Sequence, residues 1–425
     1  MIGEACVDLP SHRQRRTRST VNNEKVVIEH EAVSRWRTLL EVLTVSTKLG
    51  LTSFGGPIAH LGYFHDEYIR RRKWMDERSY ADLVALCQFL PGPASSQVGI
   101  GIGLIRAGVL GGLTAWLGFT LPSVLMLLLF AFLLQGFDIG SAGWIHGLKI
   151  VAVAIVAQAI LGMGQKLASD RNRATIAIGA ASVALLWQNV FTQVLIIIIA
   201  GIIGMMLYRK TAVLETTTLS VPISRRVAVL CLALFLGLLI LLPVLRQFVI
   251  ADGLSLFDSF YRSGALVFGG GHVVLPLLEK ELVPTGWISQ ADYLAGYGAA
   301  QAVPGPLFTF ASYLGAMING ISGALIATIA IFLPAFLLIT GCLPFWNALR
   351  KSSGIQGAFA GINAAVVGIL LAALYNPLWT TAVLAPVDVA LALILFLMLV
   401  FWKLPPWIIV TAGAVGGTLI TFQPL

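Results

Sequence analysis

Residues 54–60 read FGGPIAH and are followed by Trp74, Tyr80, Gln88 and Pro91-Gly92-Pro93 in the pattern W-x5-Y-x7-Q-x2-PGP. Residues 268–274 read FGGGHVV and are followed by the same pattern at Trp287, Tyr293, Gln301 and Pro304-Gly305-Pro306. A spaced pattern that recurs in order marks an internal duplication. Glycine and proline cannot sustain a helical hydrogen-bond ladder, so each copy contains two places where a helix must stop.

The composition sets the solvent. The chain has 425 residues, 57% hydrophobic and 11% charged, with a mean hydropathy of +0.87. That charge is too sparse to cover a globular surface of this size, so the lipid bilayer is the partner. The net charge of +8 is concentrated in the N-terminal region and between apolar runs, which is how orientation signals are distributed. Nucleic-acid binding is excluded as a function on that ground. Cys6, Cys87, Cys231 and Cys342 show no paired or Cys/His spacing and read as small hydrophobes, with neither a metal site nor a disulfide framework. Residues 1–36 read as a basic, disordered cytoplasmic tail without a cleaved signal.

Apolar runs suited to spanning helices lie near 111–135, 147–165, 227–250, 321–345, 356–375, 379–402 and 405–422. The stretch 174–208 suits two short spans broken at Trp187-Gln188-Asn189, or one long tilted helix. Segments 38–63, 79–103, 260–278 and 292–318 are apolar but interrupted halfway by GGP, PGP, GGG and PGP. Freed backbone at membrane depth survives only where protein buries it or a watery cavity meets it, so the interruptions locate a cavity.

The duplication extends past the motifs: Pro122 answers Pro334, Gly111 answers Gly323, and AGIIG at 200–204 answers AGAVG at 412–416. The organisation expected is a first repeat at 37–207, a linker with one helix at 208–249, and a second repeat at 250–425. Cations at 70–73, 78, 106, 166, 171, 173, 209, 210, 225, 226, 350, 351 and 403 can all face the cytoplasm only if 38–63 and 79–103 each dip into the membrane and return. The corresponding acidic loop EKEL at 279–282 suits the other face. The fold expected is an all-α polytopic membrane protein of two inverted-topology repeats. It has about nine full crossings and four re-entrant segments, about thirteen apolar segments in total, with the N-terminus inside and the C-terminus outside.

A half-helix that starts at such a break exposes unpaired N–H groups and the positive end of its dipole, an anion site. The candidate substrate-binding positions are therefore Gly55, Gly56, Pro57, Pro91, Gly92 and Pro93 with Gly269, Gly270, Gly271, Pro304, Gly305 and Pro306. Lys48 and Arg262 each stand six residues before the Phe of an FGG motif. Two cations placed alike match a tetrahedral dianion. Against that, both side chains could reach for lipid headgroups, or Lys48 could pair with Glu41. Gln88 and Gln301 precede each PGP and could bond either an oxyanion or the broken backbone. Glu67 and Glu281 also correspond; they are candidates for proton coupling, although solvated carboxylates flanking the membrane are the more economical reading. His60, His65 and His272 do not align and have no metal-ligand spacing, so they read as packed or hydrogen-bonded residues. Trp74 and Trp287 suit interface anchoring. No phosphate-binding loop, HExxH or G-x-S-x-G is present, so the chain reads as no enzyme and no ATP-driven pump, needing no cofactor.

The FGGP element, W-x5-Y-x7-Q-x2-PGP and the downstream glycine and LP block, present twice across 37–422, resemble the long-chain form of the chromate ion transporter family. Gly271 and His272 stand where the first copy has Pro57 and Ile58, which leaves open whether both halves contribute equally. The resemblance implies export of chromate from the cytoplasm across the cell membrane, and chromate resistance. A membrane potential drives a dianion outward by about 4 to 5 kcal/mol, from about 2.3 kcal/mol per charge per 100 mV. Sulfate, another oxyanion or an anion channel remain the alternatives, and a homodimer is compatible with the sequence.

Overall fold

The computed structural model describes residues 36–54, 56–136, 143–187, 190–208, 222–249, 251–268, 273–346 and 353–422. The N-terminal tail, Gly55, Gly269 to Gly271 and His272 lie outside the described residues, as do Gln188, Asn189, Arg209, Lys210, Arg350 and Lys351. Among the described residues all regular structure is helical. Five helices, Ala94–Gln135, Gly143–Leu167, Arg225–Phe248, Leu307–Phe345 and Gly354–Ala382, are long and apolar enough to cross a membrane. With the shorter apolar helices Thr192–Leu207, Pro386–Val400 and Pro406–Thr421, the chain is a multi-pass membrane protein.

Each half begins with helices that stop at the motifs and fold back. The helix 36–52 ends before Ser53, and Gly56–Phe64 leads through a wider π-turn at His65–Arg71. The two arms run side by side: Lys48 Nζ lies 2.7 Å from Glu67 Oε2, and Arg72 Nη1 lies 2.9 Å from Glu41 Oε1. Glu77–Phe89 then starts on Asp76, whose carboxylate accepts the N–H groups of Arg78 and Ser79 as a helix N-cap. It breaks at Leu90 to Pro93, and the next helix returns along it, so that a methyl at Gly101 would meet the side chain of Leu83. Arg106, at the end of that return, reaches Glu41 at 3.5 Å. Both V-shaped segments therefore open toward the same end of the molecule.

The helix Ala94–Gly136 is not one straight rod. Ala107 (φ −144°, ψ 24°) and Gly108 (φ 65°, ψ −156°) leave helical geometry, and Gly103 packs directly against the Gly111 carbonyl. Residues eight apart in a straight helix would be about 12 Å apart along the axis, so the chain reverses there. Phe310–Cys342 repeats the device at Asn319 and Gly320, with Gly315 against Gly323. The correspondence between Gly111 and Gly323 thus has a packing cause: only a residue without a side chain lets two backbones approach this closely.

Of the two readings left open for 174–208 the two-helix one holds, and one other apolar run differs from expectation. The stretch 174–208 is two helices, Arg171–Leu186 and Val190–Leu207, joined at their outer ends by Tyr208 Oη donating to Asp170 Oδ1 at 2.9 Å. The run at 379–402 is a shorter helix, Pro386–Val400, of 15 residues, which rises about 22 Å. It starts late because Pro386 opens it and because the Asp388 carboxylate accepts the N–H groups of Leu384 and Ala385.

The halves exchange helices. Gly143–Leu167 packs on Pro386–Val400 and Pro406–Phe422, and Ser353–Ala373 packs on Arg171–Leu186 and Val190–Leu207. Glycines make both crossings close: Gly147 meets the Gly413 carbonyl, and Gly361 meets the Ala200 carbonyl. The core accordingly sits between the halves, where the breaks lie.

Candidate functional site: two clasped breaks

The backbone breaks of opposite halves are bonded to each other. Gly92 N–H donates to Val267 O at 2.6 Å, and Gly305 N–H donates to Ser53 O at 2.8 Å. Ser53 precedes the first FGG motif and Val267 precedes the second, so each PGP turn clasps the partner half's FGG break in the same way. Gly92 (φ 115°) and Gly305 (φ 98°) hold left-handed conformations that L side chains avoid. A methyl on Gly305 would also collide with Ser123 Oγ.

The carbonyls freed by the PGP turns are capped differently. Pro91 O accepts from Gln97 Nε2 at 2.8 Å within its own half, whereas Pro304 O accepts from Ser123 Oγ at 2.6 Å across the halves. Backbone repair thus falls to Gln97 and Ser123, and the glutamines singled out from sequence are elsewhere. Gln88 is exposed, and Gln301 is half-buried with its amide nitrogen unpaired.

Buried polar groups gather beside the first break. His60 is 1% exposed; its Nδ1 lies 3.2 Å from Ser95 Oγ, and its ring stands edge-on to Phe119 at 5.5 Å. His60 Nε2, Ser53 Oγ, Ser96 Oγ, Gln97 Oε1 and Thr120 Oγ1 are buried without partners. An unpaired buried polar atom costs about 1–3 kcal/mol, so a group retained in that state is poised for a ligand or water. In the second half, Val267, Val274, Phe332 and Ala335 occupy the places of Ser53, His60, Thr120 and Ser123. Residues 95–97 correspond in the repeat to the stretch 307–310, in which Thr309 alone is polar. The two halves share backbone geometry and differ in side-chain chemistry.

The repeated cations are ion-paired. Lys48 pairs with Glu67, which also accepts from Arg72 Nε at 2.9 Å. Arg262 pairs with Glu281 at 2.6 Å and with Asp258 at 2.9 Å, and Arg246 approaches Asp258 at 3.4 Å. Glu67 and Glu281 are 6% and 9% exposed, so they are not the solvated flanking carboxylates that sequence favoured. Each V-shaped segment brings its carboxylate back onto its cation, nineteen residues away in both halves. Glu41 serves Arg72 and Arg106 instead of Lys48. Trp74 stacks on Tyr68 at 5.1 Å under the guanidinium groups of Arg72 and Arg106, a place in the charge cluster and not a bare interface anchor. Among the described residues no set of His, Cys, Asp or Glu side chains could hold a metal.

The sequence profile described as chromate transporter matches this chain twice, over residues 40–205 and 254–418. The chain belongs to the chromate transporter family. A chromate transport protein of Pseudomonas aeruginosa is 27% identical over 387 residues, 88% of this chain and 90% of that one. A chromate transport protein of Cupriavidus metallidurans is 25% identical over 393 residues, 89% and 92% of the two chains. An uncharacterized transporter of Methanocaldococcus jannaschii is 27% identical over 342 residues, 78% and 83%. No solved structure matches this chromate transporter family member. The two profile matches contain the clasped breaks and, Arg246 apart, both ion-paired clusters.

Proposed function

We propose that this chain is a secondary transporter that exports chromate, or a closely similar tetrahedral dianion, by alternating access at the clasped breaks. The observation that carries the reading is the reciprocal pair of hydrogen bonds from Gly92 to Val267 and from Gly305 to Ser53. They bring four interrupted helices from two halves to one place, as broken-helix transporters do around a midplane ligand. The names of the Pseudomonas and Cupriavidus relatives supply the cargo.

The repeats run in opposite directions in this reading, with nine crossings and four re-entrant hairpins. Gln135 Nε2, at the far end of Ala94–Gly136, lies 3.2 Å from the Ala316 carbonyl beside the second half's reversal, which supports the inversion. The first charge cluster holds two more cations than carboxylates, with Lys48, Arg71, Arg72 and Arg106 against Glu41 and Glu67. The second, with Arg246 and Arg262 against Asp258 and Glu281, is balanced. That difference favours a cytoplasmic first cluster and N-terminus.

The anion is held by N–H groups of Gly55, Gly56 and Gly269 to Gly271, in the frame made by Pro57, Pro91, Pro93, Pro304 and Pro306 and fixed by Gly92 and Gly305, whose own N–H groups close the clasp, with Gln88 and Gln301 at its margins. The buried hydroxyls and His60 add neutral donors from the first half. Lys48 serves the dianion when a proton on Glu67 releases it, and a proton on Glu281 loosens Arg262, which Asp258 still holds, so that proton uptake is coupled to anion binding. Uptake of labelled chromate or sulfate into everted membrane vesicles, with potential and pH gradient imposed separately, tests this. Saturable chromate uptake that sulfate competes with weakly supports the reading. Sulfate transport alone, or non-saturating conductive flux, refutes it.

A further inference from the structure

A cavity of about 520 Å³ runs from Phe54 at the first break to the turn containing Lys403, lined also by Tyr63, Gln158 and Gln165. Gln158 and Gln165 are exposed on the apolar helix Gly143–Leu167. An amide facing hydrocarbon costs several kcal/mol, so these two side chains require water where they stand. Lys403 is exposed at the mouth, adopts a left-handed backbone (φ 53°) and forms no ion pair among the described residues.

The other half has a counterpart with different dimensions and chemistry. One separation relates Gly111 to Gly323 and Ala200 to Ala412, and it places Leu370 opposite Gln158 and Gln193 opposite Pro405. Leu370 is fully buried. Ile369 and Ala372, beside it, line a cavity of about 140 Å³ with Gln193, and Phe268 is not among its described lining residues. Among the described residues, the wider cavity reaches its break at Phe54, whereas the narrower one, lined also by Glu279, Lys280 and Asn376, includes neither Val267 nor Phe268.

We infer that the cavity between Lys403 and Phe54 is the aqueous vestibule through which an oxyanion reaches the first break, with Gln158 and Gln165 as neutral hydrogen-bond donors along it. The inference rests on the transport reading and adds the path of the substrate. Lys403 at the mouth raises the local anion concentration, as an unpaired charge at a cleft does. The neutral amides then pass the dianion inward without holding it as tightly as a paired cation would.

Gln158→Cys, Gln165→Cys and Leu370→Cys in the full chain are tested in vesicles with a membrane-impermeant thiosulfonate, the modified site being read by mass spectrometry. Cysteines at 158 and 165 should react faster than one at 370, and chromate should suppress the reaction. Labelling of 158 only by a lipid-soluble maleimide, or labelling unaffected by chromate, would overturn the vestibule. Lys403→Gln should raise the half-saturating chromate concentration about tenfold with maximal flux retained, and Lys403→Arg should restore it; unchanged saturation in Lys403→Gln would count against the inference. If the unsubstituted protein carries no chromate while 158 is water-accessible, the transport reading fails and the passage stands. Chromate flux with position 158 dry would have the opposite meaning.

Discussion

Gly305→Ala and Ser123→Ala, alone and together, probe the clasp directly. An alanine at 305 must occupy φ 98°, which costs an L-residue about 1–2 kcal/mol. Its methyl also runs into Ser123 Oγ, and the hydroxyl can move away only by abandoning the Pro304 carbonyl, 2.6 Å from it. The buried carbonyl left unpaired adds about 1–3 kcal/mol, for a total of about 2–5 kcal/mol. Ser123→Ala costs only the carbonyl's partner, about 1–3 kcal/mol. In the double variant the carbonyl is already unpaired, so the loss is counted once and the pair should be no less stable than Gly305→Ala alone. Thermal unfolding of purified protein in detergent measures the cycle, and chromate flux in vesicles should fall in the same order. Strictly additive losses, or a Gly305→Ala protein as stable as the parent, would show that the halves are not joined in this way.

The two charge clusters should respond unequally. Arg262, 19% exposed between Asp258 and Glu281 at 1% and 9%, should cost about 3–5 kcal/mol when changed to alanine, whereas Lys48, 46% exposed, should cost about 1 kcal/mol or less; equal melting shifts would contradict the burial difference. Gly103→Val and Gly315→Val should each prevent the backbone reversals, and normal accumulation of either protein in membranes would refute the hairpin geometry. Asp76→Ala removes a helix N-cap worth about 1 kcal/mol. The Ser79 hydroxyl and the Ser79 N–H hold the Asp76 carboxyl below its ordinary value of 3.8. Its contribution is therefore full above that value and lost as pH falls through the lower folded value, so stability curves of the parent and Asp76→Ala should converge in acid. A gap that stays constant below about pH 4 would exclude the cap as its source.

Much of the architecture was legible because it rests on backbone rules. FGG and PGP announce where helices stop, and their duplication announces two halves. Lys48 with Arg262 and Glu67 with Glu281 were each visible as matched positions, but their pairing was not, since it depends on the chain doubling back between them. The capping of Pro91 O by Gln97 and of Pro304 O by Ser123 was hidden for the same reason: one bond spans six residues and the other 181. A signal for the polar cluster did exist. Ser95-Ser96-Gln97 interrupts an apolar run directly after the first PGP, and Val267 and Val274 replace Ser53 and His60 in the second copy. Reading the copies for their differences as well as their matches would have found it.

The exchange of helices between halves also has a consequence for biosynthesis. The partners of Gly143–Leu167 end at Phe422, about 250 residues downstream, which a ribosome needs about 10–50 s to produce. During that interval Gly147 has no Gly413 to pack against, and the early part of the chain waits in the bilayer with an unfilled groove. A nascent chain stalled before residue 406 would hold a complete first repeat by sequence and an unfinished one in space, which makes it a natural target for membrane quality control.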